Sequence, residues 1–157
     1  MISPPRHLSP GDDLAGFDCG VAQLNNWLHR WAMVNHLSGA SRCYVCTAGG
    51  GAAAFYCLSA SSIGHEFAAG NVRRNMPDPI PAILLGQLAV DKSLQGQGVG
   101  AHLVHHAAGK CMEIASLVGV RVLLVHALDD SIAKFYQKLG FVMSPHTPRL
   151  LMARVKL

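Results

Sequence analysis

Apolar positions recur at two spacings along this chain. Leu24, Trp27, Leu28 and Trp31 fall at i, i+3, i+4 and i+7, one helix face over about 21–37, with Asp18 placed to cap its start. The two tryptophans on that face read as core packing. Near 42–47 and 52–61 alternation predicts two short strands, joined where Gly49-Gly-Gly-Ala-Ala-Ala54 makes a hairpin turn entering the second. From Glu66 to Pro81, Pro77, Pro79 and Pro81 crowd together; each fixes φ and removes a donor, so the stretch reads as a loop. A strong apolar strand follows over 84–90, then a helix over about 98–117 with Leu103, Val104, Ala107, Cys111, Ile114 and Val118 on its apolar face. Val122-Leu-Leu-Val125 is a continuous apolar run, as in a strand buried on both faces. Asp129 or Asp130 caps a short helix through Lys138, which Gly140 closes, and Phe141-Val-Met143 and Leu150 to Val155 form the last strands. The order α, β-β, β, α, β, α, β-β predicts a mixed α/β sheet with a strand–helix–strand crossover, in a single domain over 1–157.

Composition narrows the class. With 157 residues, half of them apolar and 14% charged, the chain builds a real core and does not read as disordered. No apolar run approaches the roughly 20 residues of a membrane span. The start, Met1-Ile-Ser-Pro-Pro-Arg6, lacks the basic-then-apolar pattern of a secretory signal, so a cytoplasmic location with no membrane partner is expected. The charge of +4, from 13 basic and 9 acidic residues, is mild; it suits an acidic partner such as a nucleotide cofactor or RNA without choosing between them. Five cysteines in apolar surroundings read as reduced, buried thiols. Cys43-Tyr-Val-Cys46 has zinc-like spacing, but no second pair matches it, and the alternation within Arg42 to Thr47 reads as strand; no metal is expected. His102, His105 and His106 lie on the long helix without metal spacing and read as structural.

The chemistry concentrates after the 84–90 strand. Gln95, Gly96, Gln97, Gly98, Val99 and Gly100 form a glycine-rich turn between a strand and a helix N-terminus. Such a turn gathers backbone N–H groups around one point, and the missing side chains let a phosphate approach closely. No Gly-Lys-Ser/Thr follows, which excludes a Walker loop, and the G-x-G-x-x-G spacing of a dinucleotide site fails.

About 35 residues later comes Ala133-Lys-Phe-Tyr-Gln-Lys-Leu-Gly-Phe141. Gln95-x-x-Gly-x-Gly100 followed by Ala-x-Phe-Tyr-x-x-x-Gly-Phe resembles the GNAT family of N-acetyltransferases. The resemblance implies the GNAT fold: a mixed, mostly antiparallel central sheet flanked by helices, with the glycine turn between a central strand and a helix. It implies acetyl-CoA as cosubstrate and no metal. Pantetheine contacts then fall on Leu88, Ala89 and Val90, pyrophosphate contacts on Gln95 through Gly100, and a further cofactor contact on Phe135. Tyr136 falls beside the thioester sulfur. A phenol of ordinary pKa about 10 can return a proton to a thiolate of similar basicity, which makes Tyr136 the candidate general acid. Many acetyltransferases carry Asn six residues before this tyrosine, touching the cofactor; Asp130 stands there, and a carboxylate does not suit a polyanion, so it takes no cofactor role.

A narrower resemblance rests on Phe17-Asp-Cys-Gly20, Leu24-Asn-Asn-Trp-Leu28, Gly39-Ala-Ser-Arg42, Arg73-Arg-Asn-Met-Pro-Asp-Pro-Ile-Pro81 and Leu123-Leu-Val-His-Ala127. These resemble the toxin acetyltransferases of bacterial toxin–antitoxin operons, which acetylate the α-amino group of aminoacyl-tRNA and stop translation. The resemblance implies a ribbon-helix-helix antitoxin as partner and a homodimer. Independently, the strand 84–90 offers no Asp, Glu or His as a base. A lysine amine near 10.4 needs help to lose its proton, whereas an α-amine near 7.7–8.0 is already partly neutral, so an α-amine acceptor is favoured; His126, Glu66 or a water chain remain as sources of a base. Arg42, Arg73, Arg74 and Lys92 are the candidate RNA-phosphate contacts. A small amine or a protein N-terminus is the alternative acceptor, and a non-catalytic CoA-binding or antitoxin-pairing module is the alternative class.

Overall fold

The computed structural model describes residues 1–156. Its strands are β1 (Arg6–His7), β2 (Arg42–Ala48), β3 (Gly51–Ile63), β4 (Ile80–Val90), β5 (Val122–His126), β6 (Val142–Met143) and β7 (Leu150–Arg154), in the sheet order β1-β2-β3-β4-β5-β7-β6. The helices are α1 (Ala22–Arg30), α2 (Ala32–Ser38), α3 (Gly70–Arg73), α4 (Val99–Ala115) and α5 (Asp130–Lys138). β4 and β5 run parallel, while β1-β2, β2-β3, β5-β7 and β6-β7 are antiparallel. This is the mixed α/β sheet that the periodicity predicts, and its mostly antiparallel pairing is the one that the GNAT resemblance implies. Two compact units divide the chain, residues 1–59 with 86–107 and residues 60–85 with 108 onward.

In the first unit, Phe17, Leu28, Val45, Phe55 and Ala89 share one core. Trp27 stacks on Phe55 at 5.9 Å between ring centroids and Phe17 meets the same ring edge-on at 5.4 Å. The expected single helix over 21–37 is two helices. Trp31 takes φ −118°, its N–H still bonding the Trp27 carbonyl, and the break turns Ala32 fully inward. Trp31 consequently stays 48% exposed, with the Arg30 guanidinium 6.0 Å over its ring, so it is not a core residue. Asp18 does not cap this helix. Val21 occupies the cap position without a side-chain bond, and the Asp18 carboxylate instead accepts from the Gly20 N–H and the Asn25 amide. β1, a two-residue strand pairing with Val45 and Tyr44, carries too little pattern to be read from sequence.

In the second unit, Val122 to Val125 are buried as predicted, between the Ala82–Leu85 stretch of β4 and the antiparallel β7. Val72, Ile80, Val122, Leu124 and Met152 form its core. Each such fully buried aliphatic side chain contributes about 1.5–3 kcal/mol. The stretch 66–81 is more ordered than a loop. A 3-10 turn spans His65–Phe67, α3 follows, and β4 starts at Ile80, where Pro81 still offers its carbonyl to the Arg121 N–H. Val118 is 59% exposed, because α4 ends at Ala115 and the Ile114 carbonyl is closed off by the N–H groups of Leu117 and Val118. Asp129, rather than Asp130, caps α5 by accepting from the Ile132 N–H at 2.8 Å, and Gly140, at φ +100°, follows its end. All five cysteines are free and buried. Among the described residues no helix is long and apolar enough to cross a membrane.

Candidate active site

The glycine turn belongs to the first unit and is built from the end of β4. Asp91 donates its N–H to the Ala53 carbonyl, and its carboxylate accepts from the N–H groups of Asp18 and Ser93 and from the Ser93 hydroxyl. Those donors hold the Asp91 carboxyl below its ordinary range. A single 3-10 turn over Lys92–Leu94 leads to Gln95, whose amide nitrogen donates to the carbonyls of Cys19 at 2.8 Å and Val90 at 2.9 Å. The Gln95 side chain is therefore a brace for the turn, and only its backbone is left to face a phosphate.

Gly96 and Gly98 take φ +78° and +82°, and a Cβ on either would meet nothing within 4 Å. Glycine is required there by the backbone conformation and not by crowding; the space beside the chain is open. The Gly98 carbonyl accepts from the His102 N–H as α4 begins. The N–H groups of the first turn, at Val99, Gly100 and Ala101, have no acceptor within the helix and sit at its positive end. Gln97, Gly98, Val99 and His102 also line a cleft of about 410 Å³ with Ile2, Ser3, Pro4 and Cys46. Backbone donors converging on open space are the arrangement that holds a diphosphate. Leu88, Ala89 and Val90 lie on β4 beyond its parallel ladder with β5, which ends at Leu85↔Val125.

Phe135 and Tyr136 belong to the second unit. Tyr136 is buried on α5, with Phe135 and Phe141 edge-on to its ring at 5.0 and 5.3 Å. Burial pushes its phenol pKa well above the ordinary value, so the group stays protonated. No group among the described residues hydrogen-bonds to its hydroxyl. Asp130 pairs through Oδ1 with Arg149 Nε at 3.1 Å, so the carboxylate at the position where asparagine is common carries its own counter-charge.

The candidate RNA contacts separate. Lys92 is engaged: its Nζ lies 3.0 Å from Asp18 Oδ2, a pair that joins the Asn25 and Gly20 donors in lowering the Asp18 carboxyl to about 2. Arg42 donates to the His36 carbonyl at an exposed position in the first unit. Arg73 and Arg74, both exposed, end α3 in the second unit. Glu66 and His126 are exposed in that unit as well. Of the helix histidines, His106 hydrogen-bonds to the Tyr56 hydroxyl at 2.6 Å, as a structural residue does. Arg121 and Arg154 carry no signal in the sequence. They gather with Arg74 only through the register Val122↔Arg154, which no local motif reports.

A strand, glycine turn and helix N-terminus, followed along the chain by a tyrosine-bearing helix, fit a transferase whose donor carries a diphosphate. The chain belongs to the acetyltransferase (GNAT) domain family, whose model matches residues 39–143. It is an N-acetyltransferase. Among its relatives, a tRNA-acetylating toxin of Mycobacterium tuberculosis (strain ATCC 25618 / H37Rv) is 45% identical over 154 residues, covering 98% of this chain and 93% of the relative. The structure of AtaT complexed with acetyl-methionyl-tRNAfMet superposes with a TM-score of 0.89 at 30% identity, covering 98% of this chain and 95% of that one. A tyrosine-to-phenylalanine mutant of AtaT bound to the C-terminus of the antitoxin AtaR and acetyl-CoA gives a TM-score of 0.83 at 30% identity, covering 99% and 94%.

Proposed function

We propose that this chain acetylates the α-amino group of aminoacyl-tRNA and so arrests translation as the toxin of a toxin–antitoxin pair. Tyr136 is the observation that carries the reading: a buried phenol set between Phe135 and Phe141, whose hydroxyl has no partner among the described residues. The donor supplies an acetyl thioester. The backbone N–H groups of Gly96 through Gly100 hold its diphosphate, assisted by the positive end of α4. The β4 backbone over Leu88 to Val90 aligns the pantetheine arm and offers an N–H to the thioester carbonyl. Phe135 packs against the cofactor, and the Tyr136 hydroxyl gives its proton to the departing sulfur. The acceptor amine arrives already partly neutral, so orientation replaces a strong base: its nitrogen bonds to the thioester carbon as the C–S bond breaks, and the proton that nitrogen then sheds passes to solvent, from which the Tyr136 oxygen regains the one it gave to sulfur.

The names of the relatives support tRNA as the acceptor, and the AtaT–AtaR complex supports an antitoxin partner, here of the ribbon-helix-helix type. The same reading makes the protein one catalytic domain, a cytoplasmic homodimer, with Arg42, Arg73 and Arg74 meeting RNA phosphates. Lys92 contributes less, since Asp18 already neutralises it.

The test follows labelled acetyl transfer from acetyl-CoA to charged tRNA. Tyr136→Phe is expected to lower kcat by roughly 10²-fold or more, the ordinary worth of a general acid, with the acetyl-CoA Kd unchanged by calorimetry. Undiminished turnover in that variant removes Tyr136 from the role. Absence of acetylated product with every charged tRNA, from an active preparation, removes the acceptor.

A further inference from the structure

The second unit carries a polar pocket of about 240 Å³ lined by Asn71, Arg74, Asn75, Arg121 and Arg154. Three arginines and two asparagines line one concavity, and among the described residues no aspartate or glutamate lines it. The groups come from distant parts of the sequence. Asn71 lies on α3, Arg74 and Asn75 follow it, Arg121 precedes β5 and Arg154 ends β7.

Arg121 is fixed in place. Its Nε donates to the Val72 carbonyl at 3.1 Å and its Nη2 to the carbonyls of Asn71 at 3.1 Å and Arg74 at 3.3 Å. Asn75 takes φ +60°, the left-handed conformation that asparagine tolerates better than most residues. The gathering of like charges has a cost: burial, and then Arg154, hold the Arg121 pKa below its ordinary value. Arg121 is bonded to the backbone, whereas no hydrogen bond or ion pair among the described residues engages the Arg74 or Arg154 side chain. The ion pairs Arg6–Asp12, Lys92–Asp18, Lys110–Glu113 and Arg149–Asp130 all lie outside the pocket. A cationic cluster with no counter-ion among the described residues is complementary to an anion from outside.

We infer that this pocket binds a phosphate group of RNA; on the proposed function, which this inference extends, the RNA is the tRNA acceptor substrate. Phosphate is favoured over carboxylate by donor count. A single guanidinium fork satisfies both oxygens of a carboxylate, whereas this concavity is lined by Arg74, Arg154, two asparagines and Arg121, whose Nη1 is not used in its backbone bonds. The pocket adds Arg121 and Arg154 to the RNA contacts and makes Arg74 part of a built subsite.

The test uses the Arg74→Gln/Arg154→Gln double variant, which leaves the Arg121 bonds to the backbone in place, with an unchanged thermal midpoint as the control for folding. Binding of deacylated and of charged tRNA is followed by fluorescence anisotropy across a salt series. Affinity is expected to fall about tenfold for both RNAs, and the slope of log Kd against log salt to shrink by ~0.7–0.9 for each phosphate that the variant no longer neutralises. Arg154→Lys, which keeps the charge but not the fork, is expected to weaken binding less. Unchanged affinity and slope overturn the inference. So does a loss confined to inorganic phosphate, which indicates a free-anion site, or to polyglutamate, which indicates an acidic protein surface. Acetylation by the wild-type protein is measured alongside. Its absence ends the proposed function, while the deacylated tRNA still decides the pocket.

Discussion

Gln95 shows how a residue can serve a site without touching what the site holds. Its two amide hydrogens are aimed at the carbonyls of Cys19 and Val90, tying the glycine turn to the segment before α1 and to the end of β4. Gln95→Leu removes both donors from two part-buried carbonyls, an expected loss of about 1–3 kcal/mol, read as a lower urea midpoint with an unchanged m-value. Acetyl-CoA affinity should fall with it, since the turn loosens. A merely surface glutamine would show neither change. Sequence alone assigns Gln95 to the pyrophosphate because it sits in the motif; its partner Cys19 lies 76 positions away, and no local pattern reports such a contact. Tyr136 is legible for the opposite reason, since the residues that mark it are its immediate neighbours on one helix. Asp130 falls between the two cases: its position is readable, but its counter-ion Arg149 is not.

At the level of elements, the apolar periods locate the strands at β2, β3, β4 and β5 and the helices at α4 and α5 to within a few residues, because each carries a buried face or, as in β5, an unbroken buried run. The failures have physical causes. Trp31 matches the helical spacing of its neighbours, yet the chain breaks there so that Ala32 can turn inward. The prolines between 77 and 81 mask α3, which ends before them, and the start of β4, whose Pro81 lacks an N–H but keeps a bonded carbonyl. The turn before α4 makes the sharpest prediction at this scale. Gly98→Ala meets no obstacle in space but must adopt φ +82°. It is expected to cost about 1–2 kcal/mol by denaturant unfolding, and to weaken acetyl-CoA binding if the chain relaxes out of the left-handed region. An alanine variant of wild-type stability and affinity would show that the backbone there is not constrained as described.

For the whole molecule, the titrating groups set a pH window. His36 accepts the Cys43 N–H on Nδ1, and desolvation, then the charges of His7 and Arg42, lower its pKa. A base that is harder to protonate when folded loses stability as pH falls below its unfolded value near 6.5. Asp18 works in the carboxylate range: near 2 folded against about 3.9 unfolded, it stabilises fully above about pH 4 and loses that contribution as pH falls toward 2. Asp12 and Asp91, also lowered, act in the same direction. The thermal midpoint is therefore expected to decline in two stages on acidification, and Asp18→Asn to flatten the second stage; a midpoint indifferent to pH between 7 and 2 would contradict both assignments. The buried cysteines carry a consequence of another kind. Thioesters exchange readily with thiolates, and a protein that handles acetyl-CoA exposes any ionised cysteine of its own to acylation. Burial raises the thiols of Cys46 and Cys57 to about 11 and that of Cys111 to about 12, and drives Cys43 upward as well. Held as thiols, these four are poor competitors for the acetyl group, which leaves an incoming amine as the stronger nucleophile.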